Sequence, residues 1–356
     1  MVMPCSPTSS SASCFGNFMT VTCEVFKAKR LSSVSSISTQ DSDGCQSLEA
    51  SELERAVTDF NWNIFNFVDT LRDPTSEVLK SVGQFLFKRA MNTDDHDFHD
   101  EGEWYPKAVK WLVLVQEAYN DVPFHNVIHA SDVAIALDHL LQIFEPNLDP
   151  LDALACYCAA LAHDVYHPGF SNRYVIATSD SIEGDTHPLE TMHAKEAVRM
   201  LNDSGMAEVL GDERVQLINR MIMATDMQQH DMWVEKAMSM ACLPKEDLLC
   251  LLLHAADISN PARSREVMQQ WSIRCLTEFW HEGDLFRDRG LEVPPTLPSR
   301  PLSNVELAKQ QLGFSKYFVR PLLAAMCDSA WTWLDNIDDN IKSREALIKA
   351  YAVTAL

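Results

Sequence analysis

Apolar residues recur at helical spacing along most of this chain. In the stretch 60–71, Phe60, Ile64, Phe67 and Leu71 follow the i, i+3, i+4 pattern of one helix face, and Val68 fits it too. The same pattern, after a break at 73–75, predicts helices over 78–86, 105–119, Ser131–Phe144, Leu151–Ala162, Glu190–Leu201, Asp212–Thr225, Asp231–Met240, Lys245–Ala256, Arg263–Glu282, Val305–Phe318 and Pro321–Ile341. Because no segment alternates convincingly with a period of two, we expect an all-α domain without strands.

The first 50 residues have a different composition. Serine-rich runs at 6–11 and 32–36 leave little apolar surface to bury, which is typical of a segment that does not fold alone. We therefore expect residues 1–50 to be a largely disordered linker or tail and residues 51–356 to form the domain. Connections in the domain are short apart from Gly169–Pro188 and Gly290–Pro301, and acidic residues 92–103 resemble a loop.

The charge balance narrows the choice of partners. A net charge of −22 argues against nucleic acid or an anionic membrane surface as the main partner. It also disfavours an anionic substrate, unless bound cations reverse the field locally. The ten cysteines form no CxxC pair and lie mostly among apolar residues, as expected for reduced thiols of a cytoplasmic protein. We see no signal peptide and expect no transmembrane segment.

The candidate chemistry begins at His163 and Asp164, which end an apolar run. His167 follows one turn later, before the helix-stopping pair Pro168-Gly169. An adjacent imidazole and carboxylate can ligate a divalent metal, and two carboxylate oxygens allow Asp164 to bridge two metals. Taken alone, such a pair near a helix end is more often a cap or a hydrogen-bonding arrangement.

Three other helix ends carry similar residues. His125 and His129 are spaced i, i+4 and could share a helix face, although polar histidines at a helix start are an equally good explanation. Asp226 and Asp257 each follow an apolar helix, where a cap or turn is the simpler interpretation. Four such ends in one helical domain indicate a single polar site inside an apolar bundle, as in helical metalloenzymes.

These motifs stand in the order seen in class I cyclic nucleotide phosphodiesterases. The motifs are His125-Asn126-x-x-His129, His163-Asp164-x-x-His167-x-Gly169-x-x-Asn172, Ala224-Thr225-Asp226-Met227 and His254-x-x-Asp257-x-x-Asn260-Pro261, extended by Trp271, Glu278-Phe279, Gly283-Asp284 and Gln311-x-Gly313-Phe314. The resemblance covers about residues 60–340 and is strongest to cAMP-hydrolysing and protozoan members. It implies a compact multi-helix, all-α catalytic domain in three subdomains with an HD-type metal site.

The resemblance also implies a role for each residue. The ligands of a tightly held metal, expected to be Zn²⁺, would be His129, His163, Asp164 and Asp257. Asp164 would bridge to a second metal, expected to be Mg²⁺ or Mn²⁺. His125 would be the general acid, with Glu190 keeping it oriented and charged. The residues that support the metals and phosphate would be His167, Asn172, Glu190, Thr225 and Asp226. The base would lie among Asn260, Ile258, Cys275, Phe279, Gln311 and Phe314.

The implied reaction is hydrolysis of a 3′,5′-cyclic nucleotide to the 5′-monophosphate, which ends a cyclic nucleotide signal. Two metals roughly 3.5–4 Å apart would lower the pKa of a bridging water, whose hydroxide attacks phosphorus while His125 protonates O3′. The amide of Gln311 can pair with either purine by turning over, so we expect cAMP hydrolysis with appreciable cGMP hydrolysis.

Departures from the family pattern and alternative functions remain. Tyr166 stands where many relatives carry Asp or Asn, Cys275 replaces a larger apolar residue of the base pocket, and the Gly169–Pro188 loop is shortened. One alternative is a different His-Asp metal phosphohydrolase acting on other phosphate esters. The other is a regulatory module that binds the nucleotide without turnover. The sequence leaves open a homodimer and an upstream regulatory domain.

Overall fold

The computed structural model describes residues 50–91, 102–179, 184–327 and 331–354. Every regular element in these ranges is helical, which confirms the predicted all-α class. After helical residues 50–56, the α-helices are α1 (Ile64–Val68), α2 (Pro74–Met91), α3 (Trp104–Ala118), α4 (Val127–Phe144), α5 (Pro150–Ala162), α6 (Asn172–Thr178), α7 (Pro188–Ser204), α8 (Met206–Leu210), α9 (Asp212–Met223), α10 (His230–Ala237), α11 (Lys245–Asp257), α12 (Arg265–Asp288), α13 (Asn304–Phe314), α14 (Arg320–Met326) and α15 (Thr332–Thr354). The predicted tail, up to residue 49, and most of the predicted 92–103 loop lie outside the described residues.

Helices α4, α5 and α11 form the centre of the bundle. Each is apolar on nearly all sides and buried along most of its length, as expected for helices surrounded by others. Helix α4 packs against α2, α5 and α11. It is also the one helix in the described ranges that is long and apolar enough to cross a membrane, but 72% of that stretch is buried inside the protein, as in a core helix.

The ends of these central helices meet at one place. Asn126 caps α4, so His129 lies in its first turn and His125 just before it. This corrects the expectation that His125 and His129 share a helix face. Helix α5 ends at Ala162 with His163 as its C-cap, and α11 ends at Asp257. The sequence therefore delivers three polar side chains to one point from three apolar helices.

Four other sequence predictions about helix boundaries were wrong. The stretch 60–71 holds only the short helix α1, because the Asn63 side chain accepts a hydrogen bond from the Phe65 amide and starts a new helix there. The connection Gly169–Pro188 contains α6. The predicted Pro321–Ile341 helix is divided into α14 and α15, with Cys327 extended after α14. After α13 the chain continues as a π-helical turn, Ser315–Val319, instead of as an α-helix.

Candidate active site

The four predicted metal ligands form one tight cluster. His129 Nε2 lies 2.9 Å from Asp257 Oδ1, and His163 Nε2 lies 3.3 Å from the same oxygen. Asp164 Oδ2 lies 3.1 Å from His163 Nε2 and 3.7 Å from His129 Nε2. Both imidazoles are fully buried. The structure thus brings together side chains that the sequence separates by up to 128 residues.

The donor atoms of this cluster fit a divalent cation. His163 Nδ1 donates to the carbonyl of Ala160, which directs the lone pair of Nε2 toward the carboxylates. His163 Nε2 and Asp164 Oδ2 are buried without a hydrogen-bond partner in the described residues. Burial lowers the pKa of His163, but Asp164 and Asp257 raise it well above its ordinary value. Two carboxylates facing an imidazole lone pair favour a positive ion between them.

A second set of groups surrounds the other oxygen of Asp164. His193 Nε2 lies 3.9 Å from Asp164 Oδ1, while its Nδ1 donates to the carbonyl of Val165. His167 is within 4.8 Å of both groups, so three buried donors meet there. Burial lowers the pKa of His193 to about 4 and the pKa of His167 well below its ordinary value, so both imidazoles are neutral at physiological pH.

His125 is held by Glu278, not by Glu190. Its Nδ1 lies 2.5 Å from Glu278 Oε2, and Glu278 Oε1 accepts the amides of Phe124 and His125 at 2.7 and 3.0 Å. Burial lowers the pKa of His125, but Glu278, with contributions from Asp164 and Asp257, raises it to about 9. His125 is therefore protonated at neutral pH, and its ring stacks on neutral His167 with 3.8 Å between centroids.

Glu190 has a different partner. Asn172 donates from Nδ2 to Glu190 Oε2 at 2.8 Å, and its Oδ1 accepts the amide of Leu189. The expectation that Glu190 orients His125 is therefore wrong, although the carboxylate does line the same cavity. Burial raises the pKa of Glu190 to about 7, partly opposed by the hydrogen bond from Asn172. Glu190 is thus a carboxyl group that can gain or lose a proton near neutral pH.

Thr225 and Asp226 lie where the sequence predicted them, at the end of α9. Both are buried, and Asp226 starts the next helical turn by accepting the amide of Gln228. Its other oxygen contacts Nδ1 of His187. The Thr225 hydroxyl donates to the carbonyl of Ile222. These bonds hold Thr225 and Asp226 in the wall of the cavity that His125 also lines.

These groups line one cavity of about 860 Å³, formed by His125, Asp164, His167, Asn172, Glu190, His193, Thr225, Asp226, Asp257, Glu278 and Glu282 together with apolar and loop residues. Of the six predicted base-binding residues, Phe279 belongs to the described lining of this cavity; the other five, Asn260, Ile258, Cys275, Gln311 and Phe314, do not. Phe314 is 39% exposed and stacks on Phe318. Asn260 is buried, and its amide donates to Asp132, which pairs with Arg263.

The sequence reasoning missed three residues as members of the site. Glu278 and Glu282 are spaced i, i+4, so a shared helix face was readable, but 153 residues separate Glu278 from His125. His193 stands three residues after Glu190 on α7, a spacing that could have marked it as a candidate. A long-range pairing of this kind leaves no local signal.

Comparisons with known proteins agree with this geometry. Residues 124–341, more than half of the chain, match the 3′5′-cyclic nucleotide phosphodiesterase family. The chain is 31% identical over 260 residues to the probable 3′,5′-cyclic-AMP phosphodiesterase pde-4 of Caenorhabditis elegans, covering 66% of this chain and 38% of that protein. It is 30% identical over 293 residues to the probable 3′,5′-cyclic phosphodiesterase pde-1 of the same organism, covering 77% of this chain and 42% of that protein.

Solved structures are similar as well. The phosphodiesterase domain of Salpingoeca rosetta rhodopsin phosphodiesterase superposes with a TM-score of 0.71 at 25% identity, covering 89% of this chain and 97% of that one. LmjPDEB1 in complex with IBMX gives a TM-score of 0.73 at 21% identity, covering 88% of this chain and all of that one, which shows a shared fold. The chain thus spans well under half of its curated relatives but nearly all of these domains.

Proposed function

Because the chain belongs to the 3′,5′-cyclic nucleotide phosphodiesterase family, we propose that it hydrolyses cAMP, and also cGMP, to the 5′-monophosphates. The observation that carries this proposal is His125, paired with Glu278, at one wall of a cavity that Asp164 and Asp257 of the His–Asp cluster also line. An acid beside a cation site is what cleavage of a phosphodiester bond requires, since the leaving oxygen must gain a proton. In a cell this reaction would end a cyclic nucleotide signal.

Two divalent metals belong to this proposal. His129, His163, Asp164 and Asp257 would hold the tighter one, for which two nitrogen and two oxygen donors suit Zn²⁺. Asp164 would also face the second metal. Mg²⁺ or Mn²⁺ suits that position, because its ligands would be oxygen atoms and waters. When bound, the metals would supply positive charge to the phosphate and lower the pKa of a water.

The chain's own residues would then do three things. His125 would give the proton on Nε2 to O3′, because its Nδ1 is engaged with Glu278. His167 would pack against the acid without competing as a proton donor, since its pKa is lowered by burial and by His125. Asn172 and Glu190 would bound the phosphate side of the cavity.

Base recognition is the finer part of the proposal. Gln311 is half-buried, and its side-chain amide makes no hydrogen bond to another described residue. An amide that can turn over pairs with adenine or guanine, whereas a fixed one rejects the wrong purine by leaving buried polar groups unpaired. We therefore propose that Gln311, with Phe314, Phe279 and Ile258, accepts both bases, and that Cys275 and Asn260 border them.

The test is the rate of cAMP and cGMP hydrolysis by the purified protein, before and after chelation and after metal is returned. We expect turnover of both nucleotides, loss with chelator and recovery with metal. Binding without hydrolysis in metal-supplemented protein would favour a regulatory module, and turnover of simple phosphate esters alone would favour another phosphohydrolase. A preference between the two nucleotides above roughly 10³-fold would show that Gln311 is fixed.

Asp257→Ala gives a matched mutational test. Asp257 contacts both His129 and His163 and would ligate the metal together with them. Its loss should remove the metal and lower kcat/KM by about a hundredfold or more, with the helical fold kept. Asp247→Ala is the control, because Asp247 lies on the same helix and pairs with surface residues Arg220 and Lys236. Metal analysis, circular dichroism and steady-state kinetics of both variants decide the assignment; full metal content and turnover in Asp257→Ala would refute it.

Compartment and partners also belong to the proposal. Five cysteines in the described ranges, Cys156, Cys158, Cys242, Cys250 and Cys275, are free thiols, as expected in a reducing cytoplasm. The chain covers only 38% of pde-4 and 42% of pde-1, so regulatory segments beyond the catalytic domain fit the proposal.

A further inference from the structure

Glu282 is a buried carboxylate with no part in the chemistry proposed above. It stands one helical turn after Glu278 on α12, lines the same cavity and is 1% exposed. No Lys, Arg or His of the described residues pairs with it. A carboxylate is costly to bury without a cation partner, so its hydrogen bonds should indicate why it is placed there.

Both oxygens of Glu282 bind one residue, Ser171. Oε2 accepts the Ser171 amide at 2.8 Å, and Oε1 accepts the Ser171 hydroxyl at 2.7 Å. Ser171 is the N-cap of α6, a position where a serine hydroxyl normally accepts an amide of its own helix. Here the hydroxyl makes no capping bond. The Ser171 hydroxyl therefore bonds to Glu282 on α12, 111 residues further along the chain, instead of capping α6.

The segment that contains Ser171 carries two groups of the site. His167 lies four residues before Ser171 and stacks on His125, and Asn172 directly follows it and holds Glu190. On the other side, Glu278 holds His125 from the same helix that carries Glu282. Two carboxylates one turn apart on α12 therefore fix the acid and the His167–Asn172 segment against a common support.

We propose that Glu282 is a positioning residue that acts through Ser171 to hold His167 and Asn172 in register with His125. The inference rests on the proposed hydrolase function, since register matters only for the reaction. Glu282 touches neither the leaving oxygen nor the base in this scheme. Glu282 contributes by fixing the positions of His167 and Asn172. Small displacements of positioned groups lower the reaction rate by large factors.

Two variants separate the effect of the hydrogen bonds between Glu282 and Ser171 from the effect of the negative charge on Glu282. Glu282→Gln keeps the link, because its carbonyl can accept the Ser171 amide and its NH₂ can donate to the hydroxyl. Glu282→Met has similar volume, and its thioether is at most a weak acceptor that cannot replace the two bonds to Ser171. We expect kcat for cAMP to fall about ten- to hundredfold in Glu282→Met with little change in KM, and to stay within about threefold of the parent in Glu282→Gln. Asp284→Ala, which removes an exposed carboxylate two residues on, should behave as the parent.

Two further measurements keep this inference separate from the hydrolase proposal. Amide hydrogen exchange should accelerate in the peptide covering 167–178 in Glu282→Met and not in Glu282→Gln, whether or not the protein turns over a nucleotide. Adding Ser171→Ala to Glu282→Met should cause little further loss of kcat, because both act through one link.

Three outcomes would overturn the inference: unchanged exchange in Glu282→Met, accelerated exchange with unchanged kcat, or equal losses in the Gln and Met variants. A parent protein that hydrolyses neither nucleotide would refute the hydrolase function instead, and the exchange data would still report on the tether.

Discussion

The carboxylates of the site differ in what they bind, and those bonds assign each a different chemistry. Glu278 accepts three hydrogen bonds, from the Phe124 amide and from the amide and Nδ1 of His125, and its charge raises the pKa of the His125 imidazole. Glu190 accepts an amide, and burial raises its pKa to about 7. Asp257 Oδ1 contacts Nε2 of both His129 and His163, and these two histidines lower the pKa of the Asp257 carboxyl although burial raises it. The same carboxyl group thus binds a histidine that it keeps charged, titrates near neutral pH, or faces two imidazole nitrogens at the proposed cation site, depending on its surroundings.

The pH dependence of the acid follows from this arrangement. With its pKa raised from 6.5 to about 9, His125 is protonated below pH 9, so kcat should fall as pH rises through about 9. The contribution of His125 to the stability of the fold is complete below about pH 6.5, and it is lost as the pH rises from about 6.5 through about 9. Glu278→Gln should move the descending limb of the pH–rate profile toward lower pH. A limb at the same pH in the parent and in Glu278→Gln would contradict this.

The backbone of Tyr166, two residues after Asp164 of the His–Asp cluster, is in a strained conformation. Its φ is +62°, the left-handed region that Asn and Asp tolerate and aromatic residues rarely adopt. Tyr166→Asn and Tyr166→Ala lose the same ring packing, but only Asn relieves the strain, so it should be more stable than Ala by about 0.5–1 kcal/mol. Urea unfolding of the two variants measures the difference. Equal stabilities would show that the local bonds, such as Tyr166 amide to Ala118 carbonyl, absorb the strain.

At the scale of elements, Asn126 joins a helix start to a loop. Its Oδ1 accepts the amides of Ile128 and His129, which caps α4, and its Nδ2 donates to the carbonyls of Val122 and Pro123. One side chain therefore fixes the distance between His129, inside the helix, and His125, outside it. This explains why an asparagine is suited to the position between two site histidines.

The two functions of Asn126 can be separated by substitution. Asn126→Ala loses the cap and the loop bonds and should lower the free energy of unfolding by about 1–2 kcal/mol. Asn126→Asp keeps the cap but loses the donors, so its stability should fall less, while kcat should fall in both. Urea unfolding and steady-state kinetics of both variants test this. If Ala and Asp unfold alike, the capping bond contributes nothing measurable.

The sequence predicted the helices of this protein well, but it did not predict which side chains from different helices contact one another. Periodicity located α4, α5, α9 and α11 to within a few residues because each buries an apolar face. It missed α6, whose seven residues are too few to show a period. The His125–Glu278 and Ser171–Glu282 bonds span more than 100 residues, and only the packed bundle brings them together. The family resemblance named the four residues that meet in the His–Asp cluster, whereas the expectation that Glu190 orients His125 was wrong.

At the scale of the whole molecule, the acidic residues include a group that lines the cavity. The chain carries a net charge of −22, yet its cavity collects Asp164, Asp226, Asp257, Glu190, Glu278 and Glu282. Carboxylates so close together favour cations, and bound cations would turn this part of an acidic protein into a site for an anionic substrate. All of these residues come from the stretch between 164 and 282, inside the part that matches the family.

The same argument predicts what the N-terminal segment does for catalysis. We propose that residues 51–356 are the catalytic domain and that residues 1–50 are a tail. Among the described residues, those that line the cavity lie between 125 and 298, and a serine-rich segment has little apolar surface with which to pack on a core. Deleting residues 1–50 should leave kcat/KM for cAMP within about twofold and the melting temperature nearly unchanged. A tenfold loss of kcat/KM in the shortened protein, with its melting temperature kept, would show instead that the segment acts on the site.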